Sequence, residues 1–341
     1  MNNKKIFITF ILIFIFFISK NIYCQDNAKV YVIKKLEFQE INRWYAAYIK
    51  KAIKKASDEG ASLIILELDT PGGLLSSALS IKNYIIESDI PVVAYINKNA
   101  LSAGALISLS CEAIYMSDGS IIGAATPVYM KGGNIEKASE KEISAMRAAM
   151  RSSAERSKKN VRAAEAMVDE TIILTKSKDG IDLDDKTLLT LSLEEALKVN
   201  IADAKANSII EIIKLRNLSE NSTIKNVEEE KYDYILRFLI NPAVLSALIS
   251  IGIIGVYIEL KTPGFGIGGV ISIIAFSIFF FAQIFVGDSG FLSPAIFLLG
   301  IVLLAIEIFV IPGFGITGIL GILGIVAGIF MSFGINNIAQ A

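Results

Sequence analysis

The chain is best approached from the stretch Asn99-Ala100-Leu101-Ser102-Ala103-Gly104-Ala105. An apolar run at 91–96 precedes it and predicts a buried strand, and a second apolar run at 105–109 follows it. A serine between a strand and a helix presents its hydroxyl at the helix N-terminus, where the helix dipole favours developing negative charge. Serine is also among the best helix N-caps, so taken alone a capping role is the simpler interpretation of Ser102. The sequence around Ser102 is needed to distinguish these two interpretations.

Strands alternate with helices around this serine. The continuous apolar runs at 63–68 and 91–96 each predict a buried strand. The first run leads into the turn Asp69-Thr70-Pro71-Gly72-Gly73-Leu74, which is followed by a predicted helix over 75–87. Alternation at this spacing predicts βαβ units with parallel strands and right-handed crossovers.

Composition excludes several classes of function. The 341 residues include no histidine, which rules out a Ser-His-Asp triad, a Cys-His pair and a histidine-ligated metal site. A net charge of −1 gives no basic surface for nucleic acid. Cys24 and Cys111 have no zinc-like spacing, and we expect both to be unpaired. We therefore expect no cofactor and no metal, and a serine nucleophile would need a base such as lysine.

Hydropathy divides the chain into a leader, a soluble domain and a membrane domain. Residues 1–24 predict a signal peptide, with an uncleaved anchor as the alternative, and in either case we expect the next domain outside the cytoplasm. The soluble domain is expected over 25–216, and the polar segment 217–234 is expected to be a linker. Residues 235–341 contain four apolar runs, each near the ~20 residues that a spanning helix needs.

An internal repeat lies within the membrane domain. The segment Glu259-Leu260-Lys261-Thr262-Pro263-Gly264-Phe265-Gly266-Ile267 is echoed by Glu307-Ile308-Phe309-Val310-Ile311-Pro312-Gly313-Phe314-Gly315-Ile316. Both copies begin a G-x-G-x-x-G pattern, but no βαβ context surrounds them, so we interpret them as turns between spans. Glu259 and Glu307 lie at membrane depth or at its edge, and both a functional and an interfacial role remain open.

The glycine turn and Ser102 both follow the carboxyl ends of predicted parallel strands. That edge is where open α/β sheets bind ligands. Glycines there let backbone N–H groups approach a ligand closely, so Gly72 and Gly73 are candidates for an oxyanion hole. The alternative is a tight turn that only needs positive φ.

A lysine that acts as a base must be neutral, which requires burial or nearby positive charge. Lys141 stands out by position, because the pattern Ser139-Glu140-Lys141-Glu142 predicts a capping box and places this lysine in the first turn of a helix. The helix dipole disfavours a cation there, although burial must supply most of the effect. Lys131 and Lys137 are the competitors, in a segment expected to be a mobile loop.

Several motifs together resemble the long form of the NfeD proteins, which are membrane-bound serine proteases of the ClpP/crotonase-like superfamily. They are Leu68-Asp69-Thr70-Pro71-Gly72-Gly73, Ser102-Ala103-Gly104 and the two Pro-Gly-Phe-Gly membrane turns. The resemblance implies an α/β fold, with a ClpP-like domain of repeated βαβ units followed by an all-helical transmembrane domain.

The resemblance also implies a Ser–Lys dyad with Ser102 as the nucleophile. The family lysine lies at the start of the helix that leads to a Lys/Arg-Asn step, here Lys159-Asn160, and this selects Lys141 as the base. By analogy, the amides of the Gly72-Gly73 turn and of Ala103 form the oxyanion hole.

The implied function is a membrane-anchored serine endopeptidase that cleaves apolar segments of membrane-associated proteins. A stomatin/prohibitin-like (band-7) protein is the expected substrate or partner, and a homodimer or higher homo-oligomer is expected. The chain is expected to cross the cell membrane several times, with its protease domain on the extracytoplasmic side of the lipid bilayer.

Two departures from the family pattern and two alternative functions complete the analysis. The small OB-fold domain that usually follows the membrane segment is expected to be absent, and the polar insertion at 176–186, expected to be a loop, has no functional account. One alternative is a non-catalytic membrane scaffold with a ClpP-like peptide-binding domain. The other is a crotonase-type acyl-CoA enzyme, which shares the fold but for which a cytosolic domain would be expected.

Overall fold

The computed structural model describes residues 28–34, 40–131, 134–184, 186–219, 221–261, 266–285, 290–310 and 315–333. The leader predicted at 1–24, including Cys24, lies outside the described residues. The chain divides into two compact units, with the boundary between Glu228 and Glu229.

The first unit contains all the described strands. In chain order they are β1 (Lys29–Ile33), β2 (Glu40–Ile41), β3 (Leu63–Thr70), β4 (Gly72–Gly73), β5 (Val92–Leu101), β6 (Ala113–Met116), β7 (Ile121–Gly123), β8 (Val128–Lys131), β9 (Asn134–Lys137), β10 (Thr190–Ser192), β11 (Ala204–Lys205) and β12 (Thr223–Val227). Eight of them form the main sheet in the order β10-β7-β5-β3-β1-β12, with β6 paired to β5 and β11 paired to β6. All pairs in this sheet are parallel except β10–β7, as the predicted βαβ pattern requires.

The helices of the first unit lie between the strands along the chain, with three consecutive helices between β9 and β10. They are α1 (Arg43–Asp58), α2 (Leu75–Ile86), α3 (Ala103–Ser110), α4 (Glu140–Arg156), α5 (Val161–Ala166), α6 (Lys176–Asp179), α7 (Leu193–Lys198) and α8 (Ile209–Leu215). The predicted capping box at the start of α4 is confirmed, because the Glu142 amide donates to Ser139 and the Ser139 amide donates to Glu142.

The central strands are buried on both faces. One face of β1, β3, β5 and β6 packs against α8 in a cluster that includes Val32, Ile65, Val93 and Ile212. The β5 strand is longer than its apolar run suggested, since its first half pairs with β6 and its second half, Asn99 to Leu101, pairs with β7. This extension carries regular structure up to the residue before Ser102.

Three segments differ from the sequence-based expectation. Much of the expected mobile loop lies in the antiparallel strands β8 and β9, because β-branched and aromatic residues such as Val128, Tyr129 and Ile135 favour strands. The expected linker contains β12, which pairs with β1 and completes the sheet. The expected loop at 176–186 contains the short helix α6.

The second unit consists of helices in its described part. They are α9 (Lys231–Leu239), α10 (Pro242–Lys261), α11 (Ile267–Phe285), α12 (Leu292–Phe309) and α13 (Ile316–Ser332). Among the described residues, α10 and α11 are long and apolar enough to cross a membrane, and the other two apolar helices, α12 and α13, are shorter. The helices pack as two pairs, α10 with α11 and α12 with α13.

The repeated glutamates close these two helix pairs. Glu259 in α10 accepts hydrogen bonds from the amides of Gly266 and Gly269, both at 2.7 Å, at the start of α11. Glu307 in α12 accepts from the Gly315 amide and the Thr317 hydroxyl at the start of α13. Each carboxylate therefore satisfies amides at a helix N-terminus that lack an intrahelical acceptor, which is a structural role.

Candidate active site

Ser102 forms the joint between β5 and α3. Its backbone has φ 53° and ψ −118°, a region that residues other than glycine occupy only with strain. The conformation is held in place, since the Ser102 amide donates to the Gly123 carbonyl at 2.9 Å and the Ser102 carbonyl accepts from the Ala105 amide at 3.0 Å. A strained strand-to-helix turn of this kind is the backbone geometry of a nucleophile elbow.

The capping interpretation of Ser102 does not fit this geometry. The residue occupies the N-cap position of α3, but its side chain makes no capping hydrogen bond. An N-cap ordinarily has extended backbone angles, which Ser102 lacks. Ser102 is half-buried, and its hydroxyl does not cap the helix that it precedes.

The glycine turn packs directly against this serine. Gly72 has φ +117°, and a Cβ added there would lie 2.6 Å from the Ser102 Cβ and 3.1 Å from the Ser102 Oγ. Gly73 has φ +151° and lies so close to the Ile41 backbone that it has no room for a side chain. Both positions therefore require glycine, and Gly72 requires it because of the serine.

The amides around Ser102 differ in what they bind. The Gly72 amide donates to Thr70 Oγ1 at 3.1 Å, so it is engaged within its own turn. The Leu74 amide donates to the Ile41 carbonyl at 2.7 Å, and because successive residues of a strand face opposite sides, the Gly73 amide faces away from β2. Ala103 is the first residue of α3, where an amide has no intrahelical acceptor. Gly73 and Ala103 thus fit the donor role better than Gly72.

The three candidate lysines lie in different surroundings. Lys141 is the second residue of α4, and its side chain is exposed. Burial of this side chain was expected, but α4 buries later positions such as Met146 and Met150. Lys137 forms an ion pair with Glu170 at 2.5 Å, and the side chain of Lys131 lies outside the described residues.

A chain of contacts places the first half of α4 at the edge of the sheet that carries Ser102. The Gly123 carbonyl binds the Ser102 amide, and two residues later the Ala125 amide donates to the Met167 carbonyl at 2.6 Å. Asp169, just beyond, forms an ion pair with Arg147 of α4.

The far ends of α3 and α4 are also joined. Ser110 Oγ and Ser153 Oγ lie 3.1 Å apart, which joins the C-terminal parts of α3 and α4.

Sequence analysis missed two acid–amide pairs beneath the site. Asn97 donates to Glu67 at 2.6 Å and Asn99 donates to Asp69 at 3.0 Å, each bond joining β5 to β3. These pairs brace the strand that leads to Ser102 against the strand that leads to the glycine turn. Part of their signal was present in β3, where Glu67 and Asp69 flank the apolar Leu68.

Lys159, which the sequence analysis used only to locate the helix that carries Lys141, is a buried structural residue. Its ammonium lies 2.5 Å from Asp203, and the side chain is 2% exposed. Asp203 also accepts from the Ile114 amide at 2.7 Å. Ile114 lies near the start of β6, so this ion pair sits at the edge of the sheet opposite Ser102.

These features define a protein with helices apolar enough to span a membrane and a first unit with the α/β fold of solved membrane-bound protease domains, in which a serine occupies a strained strand-to-helix turn. Residues 29–227 match the family model described as NfeD1b, N-terminal domain, and residues 243–341 match the NfeD integral membrane domain. The chain belongs to the NfeD family, and the resemblance drawn from its motifs is confirmed.

Two relatives extend this comparison beyond single domains. The membrane protein NfeD1b of Bacillus subtilis (strain 168) is 35% identical over 315 residues, which cover 91% of this chain and 69% of the relative. The membrane-bound protease PH1510 of Pyrococcus horikoshii is 28% identical over 300 residues, which cover 82% of this chain and 64% of the relative. The chain therefore spans about two thirds of the length of each relative.

Solved structures similar to the first unit support the fold. Two are of 1510-N, described as a membrane-bound stomatin-specific protease, and both are 27% identical to this chain. One is a serine-to-alanine variant with a TM-score of 0.50, covering 60% of this chain and 99% of its own. The other is a lysine-to-alanine variant in complex with a substrate peptide, with a TM-score of 0.52, covering 62% of this chain and 98% of its own.

Proposed function

We propose that this chain is a membrane-anchored serine endopeptidase in which Ser102 and Lys141 form a catalytic dyad. The observation that carries the proposal is the backbone of Ser102, whose positive φ at the β5–α3 joint holds a hydroxyl free of any capping bond against the glycine turn. Strain of this kind persists where the surrounding structure enforces it, and it clusters at active sites. The protease names of the relatives and solved neighbours point in the same direction.

In the proposed mechanism, neutral Lys141 removes the proton from Ser102 Oγ as the oxygen attacks the carbonyl carbon of a peptide bond. The amides of Gly73 and Ala103 stabilise the oxyanion. The amine leaves with a proton from Lys141, and a water molecule then hydrolyses the acyl-enzyme. Because Lys141 is exposed in the single chain, we propose that a bound peptide or a second copy of the chain covers it and favours its neutral form.

The proposed substrates are apolar segments of membrane-associated proteins, with a stomatin-like protein of the band-7 type as partner. The basis is the stomatin-specific protease among the solved neighbours. We further propose that the first unit lies on the extracytoplasmic side of the membrane, as the leader-like sequence at 1–24 suggests.

A non-catalytic scaffold that binds extended peptides is the second candidate. The exposure of Lys141 favours it, because this side chain is not shielded from water in the single chain, whereas burial is what a lysine base requires. The two candidates share the fold and differ only in the chemistry at Ser102, so activity measurements separate them.

The test is cleavage of a set of apolar peptides by the full chain in lipid nanodiscs. The variants are Ser102→Ala and Lys141→Ala, with Lys137→Ala as the matched control, because Lys137 lies on the preceding hairpin and pairs with Glu170. The proposal expects cleavage by the parent and the control, and loss in the other two variants.

Other outcomes identify the part of the proposal that is wrong. Loss with Ser102→Ala but full activity with Lys141→Ala would move the base to another lysine. Peptide binding without cleavage by the parent would favour the scaffold. Retained activity in Ser102→Ala would remove the nucleophile assignment.

A further inference from the structure

We infer that the outer face of α9, defined as Tyr234, Ile235 and Phe238, lies in the interfacial layer of the lipid bilayer. This inference goes beyond the proposed protease activity and does not depend on it. It concerns the helix that follows the boundary between the two units.

The apolar side of α9 points outward. Tyr234, Ile235 and Phe238 are 53%, 60% and 65% exposed, and their spacing places them on one side of the helix. The side chains of Asp233 and Leu236 are buried on the other side. A helix on an aqueous surface shows the reverse arrangement, with its apolar side inward.

The buried side of α9 packs against membrane helices. The helix contacts both α10 and α11, and within the described ranges these two helices are long and apolar enough to cross a membrane. Asp233 accepts from the Glu230 amide at 2.8 Å and so caps the start of α9. Asn241, two residues after the end of α9, accepts from the Ala243 amide at 2.9 Å at the start of α10. The helix is thus fixed at the end of a membrane span.

The chemistry of this face fits the membrane interface rather than the hydrocarbon core. The Arg237 guanidinium lies 5.3 Å from the centre of the Tyr234 ring and 3.1 Å from Glu229. Aromatic rings and cationic side chains are enriched together where headgroups meet acyl chains. An amphipathic helix with aromatic residues on one side lies in that layer, with its apolar face among the upper acyl carbons.

The test uses the full chain in nanodiscs with brominated phospholipids, which quench tryptophan emission on contact. Ile235→Trp and Phe238→Trp place a reporter on the outer face, and the parent provides the baseline for the natural Trp44. Ile210→Trp is the matched control, because Ile210 is 54% exposed on α8 of the first unit.

The expected result is loss of most of the added emission at 235 and 238 when bromines lie on the upper acyl carbons, with little quenching by aqueous iodide. The control is expected to show the opposite pattern. Quenching by iodide alone would place the face in water, and resistance to both quenchers would place a protein surface over it. Strongest quenching by bromines near the chain ends would place the helix in the hydrocarbon core. Each of these three results would overturn the inference.

Discussion

Replacing Gly72 with alanine tests whether the glycine turn is built around Ser102. The added Cβ would lie 2.6 Å from the Ser102 Cβ and 3.3 Å from the Leu101 carbonyl oxygen. It would also be attached to a backbone with φ +117°, which an L side chain adopts only with strain. The substitution therefore adds a clash and a backbone penalty at the same position.

The size of the effect follows from these two contributions. Backbone strain of this kind costs about 1–3 kcal/mol, and an extra carbon forced into a packed site costs about 1–3 kcal/mol. We expect Gly72→Ala to lower the free energy of unfolding of the first unit by roughly 2–6 kcal/mol. Gly60→Ala is the matched control, because Gly60 has φ +70° with nothing within 4 Å of an added Cβ, and its expected loss is at most about 1–2 kcal/mol.

Urea unfolding of the full chain in detergent, followed by Trp44 emission, measures both losses. Trp44 is the single tryptophan of the chain and is buried in α1, so its signal reports the first unit. A fluorophosphonate probe of Ser102 gives a second readout, and we expect slower labelling of folded Gly72→Ala than of folded Gly60→Ala. Equal stability losses in the two variants, or normal labelling of Gly72→Ala, would refute the argument that the turn is shaped by the serine.

Three further predictions concern other parts of the chain. Hydrogen bonds from Thr171, together with the Arg147 guanidinium, hold the pKa of Asp169 below its ordinary value. The ionised Asp169 carboxylate therefore stabilises the folded state at pH values above its unfolded pKa of about 3.9. This stabilisation is lost as the pH falls through the pKa of Asp169 in the folded state. Urea unfolding should show that Asp169→Asn is less stable than the parent at neutral pH and that the two free energies of unfolding become equal in strong acid. A difference in stability that stays constant with pH would contradict this prediction. Burial raises the pKa of the Cys111 thiol, so peptide mapping should find it alkylated by iodoacetamide only after unfolding, and labelling of the native chain would argue against the packing of α3. Glu259→Ala removes the acceptor of the Gly266 and Gly269 amides. Because an unsatisfied amide costs about 1–3 kcal/mol, hydrogen exchange at these two amides should accelerate about tenfold or more. Unchanged exchange would show that the carboxylate does not cap α11.

The alternation of strands and helices could be predicted from the sequence because it follows from burial. The apolar runs that became β3 and β5 are continuous, which is typical of parallel strands covered on both faces. The family motifs identified Ser102 and the glycine turn for the same local reason, since small residues are needed where backbones approach closely.

The parts that could not be predicted depend on long-range contacts. The φ of Ser102 is imposed by its bond to Gly123 and by Gly72 against its side chain, and neither contact is visible in local sequence. β12 is a polar segment with four exposed residues, and only its pairing with β1 makes it a strand. Lys141 is exposed because α4 packs a different side against the first unit. The capping box fixes where the helix begins but not which side is buried.

The two glutamate-closed helix pairs bear on how the membrane unit is made. Each carboxylate binds amides of the next helix within its own pair, Glu259 in the first and Glu307 in the second. Each pair therefore supplies hydrogen-bond donors to its own glutamate. During synthesis, α10 with α11 can enter the bilayer as a finished insertion unit before α12 leaves the ribosome, and the second pair can repeat the same step.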